Sequence, residues 1–400
     1  MKQSGRLFLI RQEERILSAF YEDGKPVELS CFDCGREQLL GSIYVGKVKN
    51  IVRNIGAVFV EIGEGMLCYY SLRDEETPLY IKEKKGDRLS QGDELLVQVC
   101  REAVKTKAPT VTCNLTFPGT YLVLTVGKKQ LGLSAKLSSK EKDRLRELIQ
   151  PFLTEEFGVI VRTNAAGVTR ETLEEELERL CELARRVLDT GKHQRCFSRV
   201  YEEPPAYAAG IRNLNREQLL EIVTDDRVLY DTLAAYLGQY QLEDLGKLRF
   251  YEETSPSLDR LYGIRTAFEQ ALRERVWLKS GAYLVIQPTE ALTVIDVNTG
   301  KYDGRKGLRE TFLRINLEAA GELARQLRLR NLSGIIVADF IDMEEEADRR
   351  ALMEHLEEEI RKDPVKTVLV DMTPLGLVEI TRKKVRKPLK EQMRVERNEG

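Results

Sequence analysis

Two aspartates define the chemistry this chain could do. The run LTVIDVNTG (Leu292 to Gly300) and the run GIIVADFIDM (Gly334 to Met343) are each a short β-branched stretch leading to an acidic residue, Asp296 and Asp339 respectively. Asn298 follows Asp296 by two residues, which in an extended chain puts both side chains on one face. Two carboxylates with no basic residue beside them repel each other unless a cation sits between them. Hard oxygen donors of this kind favour magnesium, which keeps waters and recruits phosphate oxygens. Such an ion polarises a phosphoryl oxygen and lowers the pKa of a bound water. That chemistry suits phosphodiester hydrolysis. Strand-end aspartates also cap following helices, and the pattern alone leaves both readings open.

The elements that must position the pair are legible from spacing. Between the two runs, Phe312, Ile315, Leu317, Ala320, Leu323, Ala324 and Leu327 recur at helical intervals. Strand, helix, strand is a crossover unit, which makes the two strands parallel. Continuous apolar runs of this length predict buried strands of a mainly parallel sheet. The carboxyl ends of such strands share one edge, where open α/β sheets bind ligands. Asp296, Asn298 and Asp339 should meet there.

The stretches IDVNTGK (Ile295 to Lys301), NLEAA (Asn316 to Ala320), ARQLRLRNL (Ala324 to Leu332) and DFIDM (Asp339 to Met343), in this order, resemble the catalytic core of the ribonuclease E/G family. The resemblance covers almost the whole chain. It implies that Asp296 and Asp339 hold magnesium and that Asn298 supports the first carboxylate; Asp342 lies one residue further on than strand alternation would put on the same face, and so stays outside the metal's immediate ligands. It further implies a mixed α+β and α/β multidomain fold. An RNase H-like subdomain (1–39 and 204–275) would receive an S1-type OB barrel (40–115) and a 5′ sensor (116–203). A DNase I-like catalytic subdomain (276–387) and a basic tail (388–400) would follow.

Length and composition allow this. Four hundred residues accommodate two to four modules with a large core. The net charge of −2 is unexpected for a nucleic-acid enzyme, yet charge is local: the last twenty residues carry eight basic and three acidic side chains. The last ten residues read as a solvated, frayed end. Seven cysteines, no secretory signal and no stretch approaching a membrane span point to a cytoplasmic chain with free thiols. Cys31 and Cys34 form a C-x-x-C without a second pair, and His193 and His355 are remote, so incidental cysteines are favoured over a zinc site. Neither histidine has a recognisable nucleophile beside it.

Taken in order, Leu7 to Ile10, Ile16 to Tyr21 and Val27 to Leu29 read as strands, with Asp23-Gly24 as a hairpin turn. So small a meander needs a partner from later in the chain. From Gly41, GSIYVGKVKNI, GAVFVEIG, MLCYYSL and DELLVQVCRE are short strands that suggest a small barrel. They resemble the S1-type RNA-binding form of the OB fold, in which exposed aromatics stack on bases and lysines track the backbone. The resemblance puts Phe59, Tyr69 and Lys107 in those roles, although Ala108-Pro109 replaces a usual Gly-Ala. Next, FPGTYLVLTV reads as one strand, Ser138-x-x-Glu141 as a capping box, and Leu173, Leu177, Leu180, Ala184 and Val187 as one helix face. The resemblance makes this region a 5′-monophosphate pocket with Arg162, Thr163, Gly119 and Val123 as ligands. LGLSAKL (Leu131 to Leu137) is less basic there than the family's run, leaving only Lys136. Later, 216–223 and 228–240 are predicted helices and 248–251 a strand.

The activity the resemblance implies is magnesium-dependent endonucleolytic hydrolysis of single-stranded RNA to 5′-phosphate and 3′-hydroxyl ends, in ribosomal RNA maturation and mRNA decay. Two other readings stay open: an RNA-binding scaffold with a vestigial acidic pair, and a metal phosphodiesterase on another substrate. The family's Cys-Pro-x-Cys-x-Gly zinc link would follow the last segment, and no cysteine follows Cys196, so either the chain is trimmed or this branch lacks the link. In the second case a homodimer would rely on protein surfaces.

Overall fold

A computed structural model describes residues 5–35, 38–72, 77–82, 88–103, 108–127, 129–214, 218–253, 255–300 and 307–394. The chain divides into two compact units, one of Met1–Gly35, Arg216–Ala235 and Asp244–Gly400, the other of Arg36–Asn215 and Tyr236–Glu243. Both mix helices and strands.

The first unit opens with the meander β1 (Gly5–Gln12), β2 (Arg15–Glu22) and β3 (Lys25–Asp33). Asp23 and Gly24 both take positive φ, as the predicted tight hairpin requires. The missing partner comes from much later in the chain, as described below.

The second unit begins with β4 (Ile43–Val52), β5 (Ala57–Glu61), β6 (Leu67–Ser71), β7 (Glu94–Arg101) and β8 (Thr110–Thr112). These pair in the order β4-β5-β6-β8-β7, and β7 pairs back with β4, so the barrel closes. Closure leaves no open edges among the five strands. Val58, Val60, Cys68, Tyr70, Val97 and Val99 fill its interior. After the barrel the predicted single strand FPGTYLVLTV is two, β9 (Thr116–Pro118) and β10 (Leu122–Val126), because the chain turns at Gly119 to Tyr121. Then come β11 (Leu131–Leu133), α1 (Ser139–Ile149), β12 (Phe157–Val161), α2 (Arg170–His193), β13 (Arg199–Tyr201) and α3 (Ala206–Ala209). Ser138 caps α1 by accepting the Glu141 amide, as the box predicts. The predicted face of α2 packs on β10 and β12, and Ile43, Val45 and Leu96 of the barrel join the same core.

Returning to the first unit, β14 (Leu219–Thr224) pairs parallel with β1 and supplies the meander's partner. This corrects the helix predicted over 216–223. Leu219, Ile222 and Val223 fit either period in so short a run, and pairing beside β1 overrides local propensity. There follow α4 (Arg227–Tyr240) and α5 (Leu242–Leu245), of which Tyr236–Glu243 count with the second unit, then β15 (Leu248–Phe250), α6 (Leu258–Tyr262) and α7 (Ile264–Ala271). The last sheet is built from β16 (Arg275–Trp277), β17 (Tyr283–Pro288), β18 (Leu292–Asn298), β19 (Gly334–Asp339), β20 (Thr367–Met372) and β21 (Leu377–Arg382), in the order β16-β17-β18-β19-β21-β20.

The crossover is as predicted: β18 and β19 pair parallel, joined through α8 (Leu308–Leu329). The mainly parallel sheet is not. Every other pair is antiparallel, because turns as short as 289–291 and 373–376 can only reverse the chain. Burial on both faces fails too. α8 and α9 (Glu346–Arg361) both cover one face, where Leu284, Ile286, Ile295, Ile336 and Val378 lie. On the other face Val294 is 38% exposed and Ile335 52%. Truncating a wholly buried residue such as Leu323 to Ala should cost about 2–5 kcal/mol.

The basic motif at the end of α8 is structural. Arg328 pairs with Glu22 and Glu28, Arg325 donates to the Pro26 carbonyl, and Asn331 donates to the Arg386 and Lys387 carbonyls. Residues expected to form a basic tail are partly docked: Leu389, in α10 (Leu389–Gln392), is buried among Phe8, Leu17 and Leu29, and Gln392 accepts the Cys31 amide. Arg382 is buried against Asp363.

Candidate active site

The register of β18 and β19 sets Asp296 directly opposite Asp339. Alternation buries their neighbours Ile295 and Ala338 under α8 and turns both aspartates, which are exposed, to the opposite sheet face. Asn298 donates from Nδ2 to Asp296 Oδ2 at 2.6 Å, which fixes that carboxylate's orientation. Partial burial, then Asp296, then Asp342 push the Asp339 carboxyl above its ordinary range. Repulsion of this kind is what a bound cation would relieve. The donor set of two carboxylates suits a hard ion that keeps most of its water. Among the described residues no group of three or more His, Cys, Asp or Glu is placed to hold a metal.

Two residues of the NLEAA stretch build the surroundings, and sequence reasoning assigned them no role. Asn316 is completely buried, donates to the Ile341 carbonyl at 2.8 Å and accepts the Ile341 amide at 3.0 Å. It thus clamps the chain between Asp339 and Asp342. Glu318 accepts the amides of Lys279 and Ser280 and so ties α8 to the β16–β17 turn. Their place in the NLEAA stretch was the available signal. Gly300 has φ of +66°, and a Cβ there would lie 2.3 Å from the Gly281 carbonyl oxygen, so the loop leaving Asn298 needs glycine to cross that turn.

On the barrel, Phe59 and Tyr69 are direct cross-strand partners on β5 and β6. Their neighbours Val58, Val60, Cys68 and Tyr70 point into the core, while both rings lie half-buried on the outer face. Lys107 lies outside the described residues.

The Arg162 region is more occupied than the resemblance implies. Arg162 donates from Nη1 to the Gly119 carbonyl at 2.7 Å and from Nη2 to Asn213 Oδ1. Burial and the neighbouring Arg212 draw its guanidinium below the ordinary range. Thr163 is exposed and its hydroxyl meets Ser134 at 2.9 Å. Val123 pairs with Ile160 next to the same turn. The structure therefore joins Gly119 to Arg162 and Thr163 to Ser134, with Val123 on the adjoining strand.

Beneath the turn sits a carboxylate that sequence reasoning missed. Glu176 of α2 is 2% exposed and accepts the amides of Thr120, Tyr121 and Leu122 at 2.7–2.8 Å. Burial raises its pKa, opposed first by the Thr120 and Leu122 amides and then by Arg179 and Arg162. A Cβ on Gly119 would meet this carboxylate at 2.7 Å. Glu176 and Arg212 also line a cavity of about 440 Å³. Nothing in the run ETLEEELERL distinguishes Glu176 from its solvated neighbours.

Cys31 is buried in β3, where burial pushes its thiol up, and Cys34 accepts a hydrogen bond from Arg11. No helix among the described residues is long and apolar enough to cross a membrane.

A crossover sheet carrying an exposed acidic pair, in a chain that also holds a closed five-stranded barrel, defines a class, and comparison with known proteins gives the family. The model of the ribonuclease E/G family matches residues 116–385. Ribonuclease G of Salmonella typhimurium (strain SL1344) is 34% identical over 379 residues, 92% of this chain and 77% of the relative. Ribonuclease G of Escherichia coli (strain K12) is 33% identical over 382 residues, 93% and 78% of the two chains. Ribonuclease E of Nostoc sp. (strain PCC 7120 / SAG 25.82 / UTEX 2576) is 34% identical over 383 residues, 94% of this chain and 55% of the relative. The chain belongs to the ribonuclease E/G family.

Proposed function

We propose that this chain is a magnesium-dependent endoribonuclease that cuts single-stranded RNA within RNA processing, leaving 5′-phosphate and 3′-hydroxyl ends. Family membership makes it an endoribonuclease. The observation that carries the finer reading is the register pair Asp296–Asp339, two exposed carboxylates side by side with Asn298 bonded to one of them. Asp296 and Asp339 would hold the ion, and Asn298 holds Asp296 in one orientation. Magnesium, when bound, supplies the charge that polarises a phosphoryl oxygen and acidifies water. Asn316 keeps the Asp339 strand end in place, so the two carboxylates stay at a fixed separation.

Further assignments follow the same reading. Phe59 and Tyr69 stack on bases, and Lys107 supports the strand. Arg162, Thr163, Gly119 and Val123 receive a 5′-monophosphate. The first unit combines RNase H-like and DNase I-like parts, the second an S1-type barrel and a 5′ sensor. The substrates are ribosomal RNA precursors and messenger RNA in the cytoplasm.

Incubation with single-stranded RNA, single-stranded DNA and duplex RNA, each with and without magnesium, tests the activity. Cleavage confined to single-stranded RNA with magnesium is expected. Binding without cleavage would make the chain a scaffold, and cleavage of DNA would move it to another substrate class.

A further inference from the structure

Trp277 is the chain's one tryptophan, and it is 62% exposed on a strand where large apolar side chains normally face inward. It does not stand alone. Trp277 pairs across β16–β17 with Tyr283, their ring centroids 5.1 Å apart and their planes tilted by 58°. The Arg275 guanidinium lies over both, 4.5 Å from the Tyr283 centroid and 5.6 Å from that of Trp277. The register carries this group to the acidic pair: Tyr283 opposes Asn298, Val285 opposes Asp296, and Asp296 opposes Asp339. Directly opposed residues share a sheet face, so the aromatic pair and the aspartates share one surface. Strands lie about 4.7–4.9 Å apart and residues about 3.3 Å apart along them, which puts the backbone of Tyr283 roughly 8 Å and that of Trp277 roughly 12 Å from that of Asp296. The support is rigid, since Glu318 holds the amides of Lys279 and Ser280 in the intervening turn.

We infer that Trp277, Tyr283 and Arg275 form a second stacking platform, which takes a nucleobase of the RNA strand beside the bond that is cut. The inference rests on the reading of the chain as acting on single-stranded RNA. Aromatic faces accept any base, and an arginine alongside adds cation–π attraction and charge for the backbone. The barrel face at Phe59 and Tyr69 grips the strand by the same physics. The platform differs in lying on the sheet that bears the acidic pair, so it sets which phosphate is presented to Asp296 and Asp339.

Because Trp277 is the sole tryptophan, its emission reports on this position alone. Wild-type protein with magnesium is mixed in a stopped-flow with labelled single-stranded RNA, and tryptophan emission and label anisotropy are read before turnover. Loss of emission that saturates at the anisotropy midpoint is expected. RNA binding by anisotropy with unchanged emission overturns the platform while leaving the RNA reading intact. No anisotropy change at all overturns both. Emission that follows protein concentration instead of RNA overturns it in favour of contact between copies of the chain. Trp277→Ala should lower kcat/KM about fivefold or more, with Trp277→Phe in between. An abasic nucleotide at the platform position should cost wild type a similar factor and Trp277→Ala almost nothing. Equal sensitivity of both proteins to abasic substitution at every position overturns the inference.

Discussion

Asp296 and Asp339 stand side by side on an open sheet face, whereas Glu176 is buried in the other unit with three backbone amides aimed at it. Both Asp339 and Glu176 have raised pKa values, and burial is the first cause of each. The geometry separates them. At Asp339 the remaining causes are Asp296 and Asp342, two further negative charges, so the protein leaves an electrostatic demand unmet. At Glu176 amides and arginines oppose the shift, and the demand is largely met from within. An unmet demand on an accessible face invites a ligand. A met one in the interior holds a turn together. The same direction of pKa shift thus arises from unopposed negative charge on an exposed face in one place and from burial beneath a satisfied turn in the other.

The strongest way to break this contrast is to neutralise each carboxylate with its isosteric amide. Asp339→Asn should reduce cleavage by more than about a hundredfold, since the charge that retains the ion is lost, while RNA affinity stays nearly intact. Parallel loss of binding and cleavage would make Asp339 structural. The stability effect has the opposite sign. A carboxyl whose folded pKa is raised contributes stability while protonated and loses it as pH rises through its shifted range. At neutral pH and with a chelator present, Asp339→Asn should therefore melt at or above the wild-type temperature. Glu176→Gln brings an NH2 donor against amide donors, and Glu176→Ala leaves three donors with no partner. At about 1–3 kcal/mol for each orphaned donor, Glu176→Ala should lose about 3 kcal/mol or more, read from thermal or urea unfolding. A neutral Glu176→Ala would mean that water replaces the carboxylate at the turn.

Asp296 and Asp339 were legible because a strand ending on an acidic residue is a local pattern, and a helix-length spacer between two such strands dictates a parallel pair. The sheet around them was less so. Val294 and Ile335 look like core residues in the sequence, yet both helices fall on the opposite face and leave them open. Strand β14 was misread because its burial pattern depends on β1, more than two hundred residues away. Glu176 could not be found at all: in a helix dense with glutamates, only the tertiary turn above selects one of them. Asn316 and Glu318 were visible as part of a motif, but their partners, Ile341 and the β16–β17 turn, exist only in the fold. Phe59 and Tyr69 were singled out only through the resemblance, and that they oppose each other across β5 and β6 is visible only in the register.

That barrel pair offers a smaller perturbation of the same contrast, since it touches neither charged site. Phe59→Ala or Tyr69→Ala should weaken single-stranded RNA binding by about 1–3 kcal/mol, raising KM with little change in kcat. Wild-type affinity in both variants would remove this face from the RNA path.

Arg162 lies between the two extremes, and its variant is the sharpest discriminator. Its Nη1 is committed to the Gly119 carbonyl and its Nη2 to Asn213, so part of the fork is spent on structure, as at Glu176. A guanidinium has five N–H donors, however. Those left over, with the exposed Thr163 hydroxyl beside Ser134, can still meet a terminal phosphate. If they do, RNA with a 5′-monophosphate should be cut faster than the same RNA with a 5′-hydroxyl or a triphosphate, whose added bulk and charge a small site cannot place. Arg162→Ala should erase the difference by lowering the faster rate, by roughly tenfold, the equivalent of about 1.4 kcal/mol. Arg162→Lys keeps the charge but not the fork, and should recover only part of it. If Arg162 is instead purely architectural, all three RNA ends will be cut equally by wild type, and Arg162→Ala will lower the melting temperature without changing any ratio of rates. Either result leaves the proposed role of Asp296 and Asp339 standing, because the ratio between RNA ends does not test which residues hold the ion.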